Sequence, residues 1–243
     1  KAEGALDLFD WVSYHGYSYR PEESYTNVVK FRNIIDNYRP EIKLRQGENG
    51  APSQGFKGGA LDKYNWTELS QAKWDLRRLA GDHAHGVESS VFSIIDMAYP
   101  KGVNKYVATL NVKGLLQADP LKRVVRKKLA FGAAQNYAAL FHHFQEKQPA
   151  NTASVNAKNV LVNSYRDSEG KLSIIYWDGS KNPANTNKVS NCTLTVNAEL
   201  DSPVVVDILT GNIYSIPAQN IKVANGKTVI TKLPFYDSPM VVI

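Results

Sequence analysis

Three short stretches carry side chains that could do chemistry. "SYHGYSY" holds Ser13, Tyr14, His15, Tyr17 and Tyr19; "RQGENG" holds Gln46 and Glu48; "IIDMAYP" holds Asp96, Met97 and Tyr99. If they meet, one mouth contains aromatic rings, carboxylates and an imidazole. Flat rings stack on the apolar face of a sugar while polar groups take its hydroxyls. Cleaving a glycosidic bond takes two carboxylates, one as acid/base and one as nucleophile or base. A nucleophilic carboxylate must stay ionised, which calls for hydrogen-bond donors around it, and Tyr17 and His15 are the candidates beside Glu48. The plain alternative makes Glu48 a turn residue, since Glu-Asn-Gly suits a hairpin. The stretch that follows, "APSQGFKGG", has a proline, three glycines and no alternation, so it is a poor returning strand.

The elements that must position these residues alternate over the first ~150 residues. "FDWVSYH" (9–15) reads as a strand. A helix over 23–38 follows, with Tyr25, Val28, Val29, Ile35 and Tyr38 on one face, and Arg39-Pro40 ends it. "EIKLRQG" (41–47) is the second strand. After a Gly-rich loop, a helix over 65–81 is capped by Asn65 with Glu68 reaching back, buries Trp66, Leu69, Ala72, Leu76 and Leu79, and stops at Gly81. "VESSVFSIID" (87–96) is the third strand. Asp119-Pro120 opens a last helix, with Leu121, Val124, Val125 and Leu129 inward and "KRVVRKK" (122–128) outward. Three βα units imply parallel strands covered by helices, as in a (β/α)8 barrel or a doubly wound sheet. In a barrel, reactive groups sit where strands end, which is where His15, Glu48 and Asp96 fall.

From about residue 150 the pattern changes to a polar linker and then short strands with turn signals at Thr210-Gly211-Asn212 and Asn225-Gly226. This reads as an antiparallel β-sandwich. The expected organisation is α/β plus all-β: a partial barrel domain over 1–148 and a sandwich over 149–243.

Composition narrows the function classes. The chain has 243 residues, 43% apolar and 21% charged, which supports a sizeable core. No apolar run is long enough to span a membrane. Cys192 is the single cysteine, so an intrachain disulfide and a Cys-based metal site are excluded. Net charge is +6, and "KRVVRKK" holds five of seven basic residues. Without interleaved aromatics it reads as a solvated helix face, and no nucleic-acid partner is expected. No Gly-x-Gly-x-x-Gly occurs, so a dinucleotide site has no support. His83, His85, His142 and His143 lack ligand spacing and read as surface or helix-end residues. No metal or organic cofactor is expected.

"SYHGYSY", then "IKLRQGENG" about thirty residues on, then "SSVFSIIDM" and a terminal "NGKTVITKLPFYDSPMVVI", together resemble a known family. They look like the sixth, seventh and eighth strand ends and the accessory domain of retaining glycoside hydrolases of the large (β/α)8 clan whose catalytic glutamates lie on strands four and seven. The resemblance implies that Glu48 is the nucleophile and that His15 and Tyr17 line the site and orient it. It also implies that Gln46, Asp96 and Tyr99 contribute substrate contacts. The family's acid/base follows an asparagine on strand four, and no Asn-Glu dipeptide occurs in this chain. The expectation is therefore a glycosidase whose acid/base lies on a missing or separate N-terminal barrel half, acting on a poly- or oligosaccharide, secreted or periplasmic. Three barrel strands alone should leave two open edges and an uncovered apolar face. The reading from another class is a non-catalytic carbohydrate-binding or structural fragment that needs a partner segment.

Overall fold

Residues 4–99, 110–119 and 121–243 are described by a computed structural model. The strands β1 (Trp11–His15), β2 (Lys43–Glu48) and β3 (Val87–Ser89) form a parallel sheet with β2 in the middle. Parallel neighbours need crossovers, and these are α1 (Tyr25–Asp36) and α2 (Glu68–Ala84). One sheet face packs on α1: Ile42, Leu44 and Val87 meet Tyr25, Val28 and Ile35. The buried stripe of α1 is narrower than expected. Val29 and Tyr38 are exposed, and Phe31 turns inward, edge-on to Tyr14.

The other sheet face is not apolar. Lys43 and Arg45 lie 5.0 and 4.7 Å from the Trp11 ring, and Arg45 pairs with Glu88 at 2.7 Å. The strand alternation explains this, because it sends Leu44 to the helix side and the basic residues to the other. The expected open edges are present: among the described residues β1 and β3 each pair with β2 alone.

Helix α2 differs from its expected bounds at both ends. Thr67, not Asn65, is the N-cap, and it exchanges hydrogen bonds with Ser70. The helix runs through Gly81 to Ala84, because Gly81 is a contact point rather than a stop. A Cβ there would lie 2.2 Å from the Tyr25 hydroxyl. Gly86, with φ +65°, takes the left-handed position beyond the end. The helix is buried on all sides, including Lys73, Asp75, Arg77, Arg78 and Asp82.

The third strand is shorter than 87–96. After Ser89 the chain leaves the sheet, Ile95 bridges Leu116, and β4 (Met97–Ala98) pairs with β5 (Leu110–Asn111). The segment expected as a helix from Asp119-Pro120 is not helical over residues 121–128. Pro120 lies outside the described residues. Asp119 instead closes a hairpin turn, accepting from the Leu121 and Arg123 N–H groups, between β6 (Leu116–Ala118) and β7 (Val124–Lys127). Leu121, Val124, Val125 and Leu129 are exposed, and α3 (Leu129–Phe141) begins later. The Asp119 carboxylate caps the turn and thereby competes with the helical period.

The rest is antiparallel. Strands β8 (Glu146–Lys147), β9 (Ala153–Val155), β10 (Val160–Arg166), β11 (Leu172–Asp178) and β12 (Ser190–Val196) come first, then β13 (Val204–Asp207) and β14 (Asn212–Ser215). Strands β15 (Ile221–Ala224), β16 (Lys227–Phe235) and β17 (Met240–Val242) complete the set. They make a six-stranded sheet, β14-β13-β17-β11-β10-β8, and a four-stranded sheet, β15-β16-β12-β9. β9 lies inside the stretch expected as linker. Strand β11 is buried on both faces. Tyr176 donates to the Pro234 carbonyl on β16, while its neighbour Trp177 donates to Glu22 on the parallel-sheet side. One hydrophobic cluster joins α2, α3 and both antiparallel sheets.

Candidate active site

Glu48 reaches its place through a bulge. Tyr14 is opposite Gln46 but His15 is opposite Glu48, so Gly47 is an extra residue on β2. Only glycine fits there without a shift, because a Cβ would lie 2.3 Å from Ser13 Oγ. The bulge turns Glu48 toward β1. Tyr17 donates to Glu48 Oε1 at 2.9 Å, and His15 Nδ1 lies 3.4 Å from Oε2. The side chains of His15 and Glu48 are 60% and 34% exposed, so the carboxylate is open to a ligand. Burial and the Glu48 carboxylate both push the Tyr17 phenol pKa far up, so it stays a donor.

Gln46 is fully buried and stitches the strand ends. Its Nε2 donates to the Gly16 carbonyl at 3.1 Å, its Oε1 accepts from the Glu48 N–H at 3.3 Å, and its carbonyl accepts from Ser90 Oγ at 2.8 Å. It braces Glu48 and β1 rather than facing the opening. Asp96 is likewise turned inward, at 6% exposure. Oδ1 accepts from Lys128 Nζ at 2.6 Å and the Gly114 N–H at 3.0 Å, and Oδ2 from the Ala118 N–H at 3.4 Å. Its lone pairs hold the segment before α3. Tyr99 is half-buried, accepts from Asn111 Nδ2 at 3.5 Å, and lies close enough to Tyr17 to raise its pKa further.

Behind the opening, Tyr17 and Tyr19 pack on Ala51, Leu61, Trp66 and Trp74. Trp74 Nε1 donates to the Ser18 carbonyl at 2.9 Å, which fixes the loop after β1. A cavity of about 370 Å³ opens on the α1 side of this loop, lined by Tyr14, His15, Tyr17, Asn27 and Phe31; Glu48 is not in its wall.

Four residues escaped the sequence reading. Lys113 is 4% exposed, with its Nζ 4.1 Å from the Tyr17 ring centre. Burial lowers its pKa to about 8 against the pull of Glu48 and Asp75. Asp75 is buried under the site, and that burial raises its pKa to about 8. Its Oδ1 accepts from the Ala51 N–H at 3.4 Å, while Oδ2 has no partner among the described residues. Asn49, 1% exposed, has no partner for its Nδ2 among the described residues, and the centre of the Phe56 ring stands 5.9 Å from Lys113 Nζ. Asp75 had a readable signal: it falls three residues after Ala72 and four before Leu79, on the apolar stripe of its helix.

The histidines divide. His142 and His143 are exposed, as expected. His83 and His85 are at the end of α2, as expected, in its last turn and at its C-cap. His83 is half-buried there: it sits against the rings of Phe141 and Tyr165 and bonds Tyr137, and burial lowers its pKa. His85 stacks flat on Tyr25 at 4.2 Å. Among the described residues no three His, Cys, Asp or Glu side chains converge as metal ligands.

No family model and no curated protein sequence matches this chain. Among solved structures it is similar to the GH51 arabinofuranosidase from Xanthomonas axonopodis pv. citri. The TM-score is 0.53 at 12% identity, over 99% of this chain and 54% of that one. It is also similar to the catalytic domain of GH30 xylanase C from Talaromyces cellulolyticus, with a TM-score of 0.40 at 13% identity, over 84% of this chain and 41% of that one. The chain thus spans about half the length of the arabinofuranosidase. What the first likeness establishes is the fold, a mixed helix-and-sheet arrangement shared with a glycoside hydrolase.

Proposed function

We propose that this chain is the C-terminal part of a retaining glycoside hydrolase acting on a poly- or oligosaccharide, outside the cytoplasm. In this reading the three parallel strands are the last three βα units of a (β/α)8 barrel, and the two antiparallel sheets form a sandwich behind them. The observation that carries it is the pair of contacts on Glu48: the Tyr17 hydroxyl at 2.9 Å and His15 Nδ1 at 3.4 Å. A strand-end carboxylate that is held by donors and still open to solvent suits a nucleophile.

The mechanism is double displacement. Oε1 is committed to Tyr17, which leaves Oε2 as the attacking atom. It bonds to the anomeric carbon as the glycosidic C–O bond breaks, and a carboxylic acid from another segment protonates the leaving oxygen. That group, now a carboxylate, takes a proton from water as the water attacks the anomeric carbon. The glycosyl–Glu48 bond breaks and the carboxylate is restored. In this reading His15 and Tyr99 take sugar hydroxyls. Asp75 does not fit the acid/base role, because it is buried beneath Tyr17 and bonded to the Ala51 N–H.

If no other segment supplies the acid/base, the second reading holds, a carbohydrate-binding segment without turnover. Glu48→Gln in the complete gene product separates the two. The expected result is a loss of hydrolysis by several orders of magnitude with sugar binding retained. Hydrolysis close to the parent rate would remove Glu48 from the mechanism. No hydrolysis by the parent protein on any glycan it binds would favour the binding reading.

A further inference from the structure

This inference rests on the proposed role of Glu48. Lys113 follows β5, and its backbone is fixed at three points. Its N–H donates to Asn111 Oδ1 at 3.2 Å, and its carbonyl accepts from Gln71 Nε2 at 3.2 Å and the Ser93 N–H at 3.4 Å. The side chain is buried, yet among the described residues it forms no ion pair, unlike Lys73 with Asp237 and Lys128 with Asp96. Its ammonium lies 4.1 Å from the centre of the Tyr17 ring and 5.9 Å from that of Phe56. From the edge of the same Tyr17 ring the hydroxyl donates to Glu48.

We propose that Lys113 is a positioning residue for Glu48. Its ammonium draws electron density from the face of the Tyr17 ring, which makes the phenol a stronger donor and fixes the carboxylate that the phenol holds. A cation over an aromatic face is attracted by the ring quadrupole, and linked hydrogen bonds polarise one another in a low-dielectric site.

The charged and titratable groups around Lys113 agree with this arrangement. Glu48 from β2 and Asp75 from α2 both favour the ammonium, with Glu48 the stronger, while burial opposes it. Lys128 faces Asp75 from the start of α3 and shares that carboxylate's field. Tyr99 faces Tyr17. Lys113 therefore couples to Glu48 through space and through the ring it covers, whereas a lysine serving only the fold would be closed off by a carboxylate, as Lys73 and Lys128 are.

Two measurements on the full chain test this, and neither needs turnover. In the first, a titration of side-chain 15N-labelled lysine follows Lys113 Nζ in the parent and in Glu48→Gln. Removing the carboxylate charge should lower the Lys113 midpoint by roughly half a pH unit or more. In the second, the Tyr17 13Cζ resonance reports the phenol's hydrogen bond. It should move in Lys113→Met toward its position in Glu48→Gln, and Lys113→Arg should restore it. An unchanged Lys113 midpoint in Glu48→Gln overturns the proposal, as does a Tyr17 resonance identical in the parent and in folded Lys113→Met. If Lys113→Met does not fold, the Glu48→Gln titration decides alone. Hydrolysis by Glu48→Gln at the parent rate would sink the hydrolase reading while leaving this coupling intact, so the two failures are distinguishable.

Discussion

Helix α2 serves two buried polar assemblies, and they are built on opposite terms. On one side, Arg77 forks onto Glu22, which also accepts from Trp177 Nε1, and Lys73 pairs with Asp237 at 2.7 Å while donating to the Ala184 and Thr186 carbonyls. Arg78 and Asp82 add Ser24, Ser89 and Tyr25. Each charge there meets an opposite charge, and the Arg77–Glu22–Trp177 and Lys73–Asp237 contacts join α2 and the loop after β1 to the antiparallel sheets. On the other side, among the described residues Asp75 and Lys113 lie near each other with no ion pair between them; unpaired polar atoms occur in both assemblies, on Asn49 and Gln71 here and on Arg77 and Arg78 there, so the contrast lies in the charges. Lys73 and Arg77 are four residues apart on one helix face, and Asp75 falls between them on the opposite one. Matched charges make a fixed joint. Buried titratable groups held without an opposite partner instead have their pKa values displaced by burial, Asp75 upward and Lys113 downward.

The strongest way to break this comparison is to unbalance the joint. Arg77→Met leaves the mostly buried Glu22 with the Trp177 N–H as its one partner among the described residues, and an uncompensated buried charge costs about 3–5 kcal/mol. Guanidinium unfolding should show that loss, and the double variant Arg77→Met/Glu22→Gln should recover more than half of it. If the single variant costs less than about 1 kcal/mol, the joint is no more than a surface ion pair.

The site side is probed by pH. Burial raises the Asp75 pKa to about 8, from an unfolded value near 4. Between those values the folded state binds a proton that the unfolded state has released. Stability from this group is therefore full below about pH 4 and lost as pH rises toward 8, with a slope of up to about 1.4 kcal/mol per unit. Lys113 and Lys128 favour the carboxylate and temper the slope. Asp75→Asn keeps an acceptor for the Ala51 N–H and cannot titrate. Urea midpoints at pH 5, 6, 7 and 8 should fall for the parent relative to this variant. Parallel curves would show that Asp75 is ionised in the folded state.

How much of this was legible in the sequence follows from the same contrast. The strands ending in His15 and Glu48 were readable because apolar runs and an Arg39-Pro40 stop bracket them. The β15–β16 hairpin was readable because Asn225 and Gly226 both take positive φ, as that turn requires. The closeness of Tyr17 to Glu48 was readable from the rule that reactive groups gather where neighbouring parallel strands end, and the family resemblance points the same way. Lys113 was invisible, since nothing local says that a lysine in "NVKGLL" lies over a ring nearly a hundred residues away. The outward face of the parallel sheet was misjudged because a barrel interior is expected to be apolar, whereas Lys43 and Arg45 share Trp11 there. Leu121, Val124, Val125 and Leu129 fit a helical stripe by spacing alone, but Asp119 offers backbone caps to a hairpin.

The smallest expected effect sharpens the site side most. Gly47 is the bulge that puts Glu48 opposite His15, and an added Cβ would stand 2.3 Å from Ser13 Oγ and 3.4 Å from His15 Nε2. Ser13 is exposed, so its hydroxyl can rotate away and part of the clash can relax. Gly47→Ala should therefore cost only about 1 kcal/mol in urea unfolding. Most of that should return in Gly47→Ala/Ser13→Ala, which removes the atom in the way. A cost above about 3 kcal/mol that Ser13→Ala does not relieve would mean that the backbone itself, rather than the neighbouring hydroxyl, demands glycine at the bulge. The register that brings the carboxylate to His15 and Tyr17 would then be set by β2 alone.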